Sequence, residues 1–423
     1  MTQFDVDVAL HADGLISVTV AGFSADPWLG LQAMPVSGGV LHLDARHPGG
    51  GIRCLIEAPE IADWLEPLFS AEVTLEVVRL SRLDDPSPQT TTLSITVTPF
   101  YVDTVRLIYG LWLRRWWPSP ISAIPRIDEW LLDVELGDLA AANEQLFNGA
   151  APAIELLSPH TARLAAALDA YVSVQGANDF EDAIGAVLLS AAASTLGCVD
   201  PSIAGFSELD DALRRHDDIN DSVGELPIGA AFDFALTELS TVLSASSSPR
   251  ELAQARDVST ASAGTLASRG SSPLDWLQVH PRSADAGAVA VVWSTFRDAT
   301  TLTLVIAVPA PLPRPHDRLF ARVELIGGRT LAAVLVLQPQ GYSAVVTLPD
   351  GADHDGLRVT VYSSEFGSGG RQGTSADVVQ RVRRMVLATV GARVGDVRRM
   401  MRGDQRDGDI VAFAAEKRAI RAP

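Results

Sequence analysis

The chain has 423 residues, enough for two or three modules of roughly 100–200 residues each. With 47% apolar and 20% charged residues it has a core to bury, which excludes wholesale disorder. Its 33 basic and 52 acidic side chains leave a formal charge of −19, and phosphate repulsion then excludes the whole surface as a nucleic-acid platform.

Residues 1–100 read as a β-rich module. Phe4, Val6, Val8 and Leu10 alternate with polar neighbours, and Ile16, Val18 and Val20 do so after the turn His11-Ala12-Asp13-Gly14. Period-two alternation across a glycine-containing turn marks a hairpin. Further strands are predicted over 40–44, 52–57, 73–80 and 91–98, with a short helix over 61–69. The module is acidic, with 13 acids against 4 arginines.

Residues 101–245 read as a helical module packed on the first. Ser158-Pro159 places a cap before a proline at the first helical position, and Leu164, Leu168, Tyr171 and Val172 then share one face. Asn178 with Glu181 resembles a capping box for a helix that stops near Gly197. Two more helices are predicted over 207–215 and 230–243, with an acidic loop over 216–221 that lacks the glycine of a calcium loop. Residues 246–273 are rich in Ser, Ala, Thr and Gly without an aromatic residue, the composition of a linker. Over 274–366, six apolar stretches (289–293, 302–308, 319–325, 331–337, 343–347 and 357–362) are separated by Pro and Gly turns. That spacing predicts an antiparallel β-sandwich. Residues 374–423 form a basic amphipathic helical tail. From Arg371 onward 12 basic and 6 acidic residues give +6, so the preceding 370 residues sum to −25. The fold class expected is thus multi-domain α+β.

Scarce residue types narrow the chemistry. Lys417 is the only lysine, the seventh residue from the end, and serves neither a P-loop, a kinase strand lysine nor a pyridoxal Schiff base. Cys54 and Cys198 stand far apart among apolar neighbours, which reads as two buried free thiols rather than a thiolate metal site. There is no G-x-S-x-G, H-E-x-x-H or Cys-x-x-Cys, and no cofactor is expected. The loop 367–373, with Arg371, has phosphate-cradle order but G-x-G-x-x-x-G spacing, so it reads as a hinge. Asp350, Asp353 and Asp355 read as turn residues. The first seven residues carry neither a basic n-region nor an apolar h-region, which points to the cytoplasm. The arginine skew points to a bacterium of high genomic GC content.

Three groups of residues are candidates for function. Trp112, Trp116 and Trp117 are three of the eight tryptophans within six residues, interleaved with Arg114 and Arg115. They read first as an internal anchor, and second as a partner site carried by Trp112, Arg115 and Trp116. On the tail, Arg381, Arg384, Arg399 and Arg402 share a face opposite the valine stripe, suited to a protein partner with an acidic surface. Binding of nucleic acid through the tail is the weaker alternative. His42, Asp44 and His47 form the one set from which a metal-dependent or hydrolytic site could be assembled. The function expected is a non-catalytic adaptor or scaffold subunit of a cytosolic bacterial assembly. The alternative is a hydrolase or metal-dependent enzyme with a dispersed site near His42, Asp44 and His47.

Overall fold

A computed structural model of the chain describes residues 3–20, 23, 31–83, 87–117, 124–173, 179–222, 265–272, 274–275, 278–279, 284, 290–298, 301–310, 318–325, 329–338, 341–349, 357–363, 376–404 and 410–421. It is mixed α+β, with an antiparallel sheet at the N-terminus, helices in the middle and a curled antiparallel sheet towards the C-terminus. The chain falls into two compact units. One holds Met1–Arg114, Ile127–Ser240 and Ala392–Pro423; the other holds Arg115–Arg126 and Thr241–Gly391.

In the first unit, β1 (Gln3–Leu10), β2 (Ile16–Val20), β3 (Leu31–Val36), β4 (Gly39–Asp44), β5 (Ile52–Ile56) and β6 (Gln89–Thr96) form a six-stranded sheet in the order β3-β4-β5-β2-β1-β6. The hairpin read from the alternation is present, with Val6 opposite Val20 and Val8 opposite Val18. Val6, Val8, Leu41, Leu43 and Cys54 are buried on one side. Strand β3 was not legible in the sequence. Helix α1 (Leu65–Leu68) is shorter than the 61–69 span predicted, and the preceding residues Pro59–Ile61 form a 3-10 turn.

The stretch 73–80, predicted as a strand, is instead the core of helix α2 (Ala71–Ser81). Its valines suggest strand, but Val73, Val77 and Leu80 are buried at helical spacing. The Ser70 hydroxyl accepts from the Val73 N–H at 3.3 Å, and Arg79 pairs with Glu76 three residues back. Capping and face geometry here outweigh β-branched propensity.

Helices α3 (Pro99–Trp116), α4 (Glu129–Ala142), α5 (Ala151–Leu157), α6 (Thr161–Ser173), α7 (Asp179–Cys198) and α8 (Phe206–Ser222) follow. Helix α4 is buried on every side from Trp130 to Gly137, the pattern of a helix at the centre of a bundle. Close approach there depends on Gly110 of α3, where any Cβ would overlap the Leu136 side chain. Of the face predicted for α6, Leu164 and Leu168 are fully buried and Tyr171 is half-buried. Ser158 does not cap it; its hydroxyl donates back to the Ile154 carbonyl. The acidic stretch 216–221 is helical and continues α8 rather than forming a loop. Asn178 and the predicted helix over 230–243 lie outside the described residues, as do Asp350, Asp353, Asp355 and the loop 367–373.

In the second unit, β7 (Thr265–Ser272), β8 (Val291–Arg297), β9 (Leu302–Pro309), β10 (Leu319–Glu324), β11 (Thr330–Gln338), β12 (Gly341–Leu348) and β13 (Arg358–Ser363) form one antiparallel sheet in the order β13-β10-β11-β12-β9-β8-β7. All six predicted strands are present. The seventh, β7, falls within the stretch read as linker: its Ser and Gly composition reads as flexible, yet it pairs with β8 over its whole length. Strand order is continuous from β13 to β7, and the sheet curls until its two ends meet. The Ser272 hydroxyl of β7 donates to the Val359 carbonyl of β13 at 3.3 Å. One apolar core fills the curl, including Leu304, Ile306, Leu319, Val323 and Val361. The basic tail is helix α9 (Ala376–Met400), a turn through Gly403, and helix α10 (Ala414–Arg421).

Candidate functional site

The buried helix α4 carries two acids inside an apolar run, Trp130-Leu131-Leu132-Asp133-Val134-Glu135-Leu136, and both are buried. A carboxylate in such a place needs partners, because desolvation costs more than an isolated charge recovers. Asp133 has two: the Arg114 Nε donates to Oδ1 at 2.8 Å, and the His160 Nε2 lies 3.3 Å from Oδ2. This pairing ties α3 and the turn before α6 to the central helix.

Glu135 receives the end of the chain. Its Oε1 accepts from the Ala414 N–H at 2.9 Å and its Oε2 from the Ala415 N–H at 3.1 Å, with Arg106 Nη2 3.3 Å from Oε1. The carboxyl therefore satisfies two donors that the first turn of α10 cannot bond internally. Burial pushes the Glu135 carboxyl up to about 7, against the pull of Arg106 and the two N–H groups. Beside it, Arg393 of α9 holds Glu416 of α10 in a two-pronged pair, Nε to Oε1 and Nη2 to Oε2, both at 2.7 Å. Arg393 also donates to the Ile410 carbonyl and lies over the Tyr109 ring, 5.1 Å from its centroid. Although burial opposes its charge, Glu416 holds the Arg393 guanidinium above its ordinary pKa. The free Glu416 oxygen capacity takes the Phe413 N–H at 2.9 Å. Phe413 is itself fully buried, with Arg106 stacked 4.8 Å from its centroid, and Arg418 reaches Asp128 at 2.7 Å.

This clasp is the most elaborate polar arrangement among the described residues, and sequence reading did not single out its members. The available signal was a pair of acids in an otherwise apolar helical run. Chemically the clasp can hold a proton near neutrality and hold the chain end in place. Glu416 has no exposed surface and Glu135 only 3%, so neither carboxylate faces solvent.

The residues singled out from sequence are distributed differently. Trp112 is fully buried and stacked on Tyr109 at 6.1 Å, so it packs the interior as the anchor reading expects. Arg115 and Trp116 are half-buried and lie against one another, guanidinium over indole at 5.0 Å. The Trp117 indole is buried and donates to the Pro125 carbonyl at 2.9 Å. On the tail, Arg381, Arg384 and Arg402 are exposed. Arg399 is not a fourth exposed charge: it is half-buried and bonds Asp396 at 2.7 Å.

Around His42, Asp44 and His47 the chain builds a loop clasp. The Arg46 backbone N–H, Nε and Nη2 all donate to the buried Asp44 carboxylate, at 3.0, 2.9 and 2.7 Å. Burial alone would raise the Asp44 pKa, but these bonds hold it below its ordinary value. His47 is exposed, with Nδ1 3.5 Å from Asp44. Burial and nearby Arg53 lower the His42 pKa. No group of three or more His, Cys, Asp or Glu residues that could hold a metal occurs among the described residues. Cys54 is a buried free thiol, raised in pKa by burial, and Cys198 is free but only half-buried.

The curled sheet presents two further features. A cavity of about 180 Å³ opens between its closing strands and α9, lined by Ser272, Asp275, Trp293, Arg358, Val361 and Gln380 among others. The Gln278 amide holds the buried Asp275 carboxylate at 2.9 Å. On the outer face, Val334 and Val336 of β11 and Val345 of β12 are 59, 57 and 67% exposed. Among the described residues no helix is long and apolar enough to cross a membrane. Comparison of the chain with known protein families, with curated proteins and with solved structures gave no match.

Proposed function

We propose that this chain is a non-catalytic adaptor or scaffold subunit of a cytosolic bacterial assembly. It binds protein partners through the C-terminal sheet, whose two halves act as the faces of a sandwich, and through the basic face of α9. The observation that carries this reading is the exposed valine group on the neighbouring strands β11 and β12. Val334, Val336 and Val345, which share one face of the sheet, are three of the ten large apolar side chains most exposed among the described residues. Scattered apolar side chains are ordinary, but several on adjoining strands mark a contact surface. Arg381 and Arg384 add exposed positive charge on α9, which favours an acidic partner and speeds encounter.

The test is affinity purification from the native host, comparing the full chain with Val336→Glu/Val345→Glu and with Arg381→Glu/Arg384→Glu. A protein that co-purifies stoichiometrically with the full chain and is lost with either variant supports the reading. Equal recovery with all three, or none with any, refutes it. Cutting the chain before α9 is the wrong test, because Arg393, Phe413 and Glu416 belong to the buried interior.

A further inference from the structure

A strand at the edge of a sheet shows a row of unpaired backbone groups, and proteins commonly block such edges with proline, charge, a bulge or a covering segment. Three of the four edges here are blocked in that way. Strand β3 carries Pro35, and the Ser37 N–H just past its end donates to the Leu146 carbonyl at 2.7 Å. Strand β7 carries Arg269 and a register shift between Leu266 and Ser268. Strand β13 begins with Arg358, accepts the Ser272 hydroxyl at Val359 and donates from the Ser363 N–H to the Gln278 carbonyl.

Among the described residues strand β6 has none of these devices. Its sequence, Gln89-Thr90-Thr91-Thr92-Leu93-Ser94-Ile95-Thr96, contains no charge and no proline. It pairs residue for residue with β1 from Gln89 to Thr96, without a bulge. Among the described residues no backbone group bonds its outer side. Its faces differ sharply. Ile95 is buried and Thr91 donates to Glu76 of α2 on the inner side, whereas Thr90, Thr92 and Ser94 are exposed. The Thr92 hydroxyl donates to Asp7 and the Ser94 hydroxyl to Asp5, at 2.7 and 2.5 Å. These two aspartates are exposed on β1, and no arginine or histidine of the described residues pairs with either.

The geometry points to β6 as an acceptor edge for an extended basic segment of a partner protein, which joins the sheet as a seventh strand beside the Asp5 and Asp7 carboxylates. Alternate residues of β6 supply the N–H and C=O pairs. An added strand would lie about 4.8 Å from β6 and about twice that from β1. Arginines at every second position then lean over Thr92 and Ser94 towards the two aspartates, while apolar residues at the alternate positions lie beside Leu93. A second copy of this chain fits less well. Antiparallel pairing of β6 with itself keeps each face on its own side, so it would gather Asp5 and Asp7 of both copies on one surface. This binding edge does not depend on the outer valines of the C-terminal sheet.

The probe is a fluorescein-labelled peptide of four Arg-Val repeats, titrated into the full-length protein by fluorescence anisotropy. A matched peptide carries N-methyl groups at alternate amides, which removes the donors to β6 without changing charge. The expected result is saturable binding that falls about tenfold or more on N-methylation, because several backbone bonds are lost together. Asp5→Asn/Asp7→Asn keeps the acceptors for Thr92 and Ser94 and should weaken binding about fivefold while flattening its salt dependence. The proposal fails if the peptide does not saturate, if the N-methylated peptide binds equally, or if a Glu-Val repeat binds as well. It also fails if sedimentation equilibrium shows a dimer that Thr92→Lys abolishes, since the edge would then belong to a second copy.

Discussion

The two parts of the basic tail look alike in sequence and differ in what their arginines do. Over 376–391, Arg381 and Arg384 stand in solvent while Val382, Val386 and Val390 are buried. This is the amphipathic helix that the spacing predicts. Over 392–421 Val394 and Val397 are still buried and Arg398 and Arg402 exposed, but one arginine departs from the pattern. Arg393 is buried, and its charge is answered by Glu416, twenty-three residues on, while Glu135, nearly three hundred residues away, anchors the same segment. Arginine spacing describes a surface only where no buried carboxylate meets the guanidinium, and that carboxylate need not be near in sequence.

The sharpest way to break this contrast is to remove one member of the buried pair. Glu416→Gln leaves the Arg393 charge buried without its counter-charge, which costs about 3–5 kcal/mol. Urea unfolding should show the lower midpoint, and proteolysis should release the chain end from a protein whose remaining secondary structure persists. Arg393→Met with Glu416→Leu, which removes both charges, should recover much of the loss. If the single change costs less than about 0.5 kcal/mol, the scale of an ordinary surface substitution, the segment is not held by this pair.

A smaller effect comes from Glu135, where the contrast depends on pH. Its carboxyl is raised from the ordinary 4.5 to about 7 in the folded chain, so the folded state binds the proton more tightly than the unfolded state does. The associated stabilisation is complete below about pH 4.5 and is lost as pH rises through about 7, because ν for the unfolded state is then the smaller. Over that window the change is on the order of 3.5 kcal/mol at most, taking 1.4 kcal/mol per pH unit. Glu135→Gln should flatten the fall in unfolding free energy between pH 4.5 and 7. An unchanged slope would place the titration elsewhere.

The same division between local pattern and distant pairing separates what was legible in the sequence from what was not. Alternation at Phe4–Leu10 and Ile16–Val20 and the six apolar stretches after 274 identified strands, because each records burial on one face. Strand β7 escaped notice because pairing with β8 orders a segment whose Thr, Ser and Gly side chains carry little burial pattern. Helix α2 was misread because β-branched residues resemble a strand until their spacing is weighed with the Ser70 cap. The tryptophan cluster reads first as an internal anchor, and Trp112 and Trp117 are buried accordingly. Asp133 and Glu135 were overlooked because acids ordinarily signal exposure, and only the position of α4 among its neighbours shows that they are buried.

The smallest expected effect is the one that completes the comparison. Arg381→Ala and Arg384→Ala remove exposed charges, so each should change unfolding free energy by no more than about 0.5 kcal/mol. Among the described residues Arg384 donates a single bond, to the Gln380 carbonyl one turn back at 3.4 Å, which water can replace. If these arginines instead serve a partner, the same substitutions should leave the urea midpoint unchanged while weakening association, chiefly through a slower and less salt-dependent on-rate. A stability loss comparable with that of Glu416→Gln would show that Arg381 and Arg384 are interior residues, and that the tail has one character throughout.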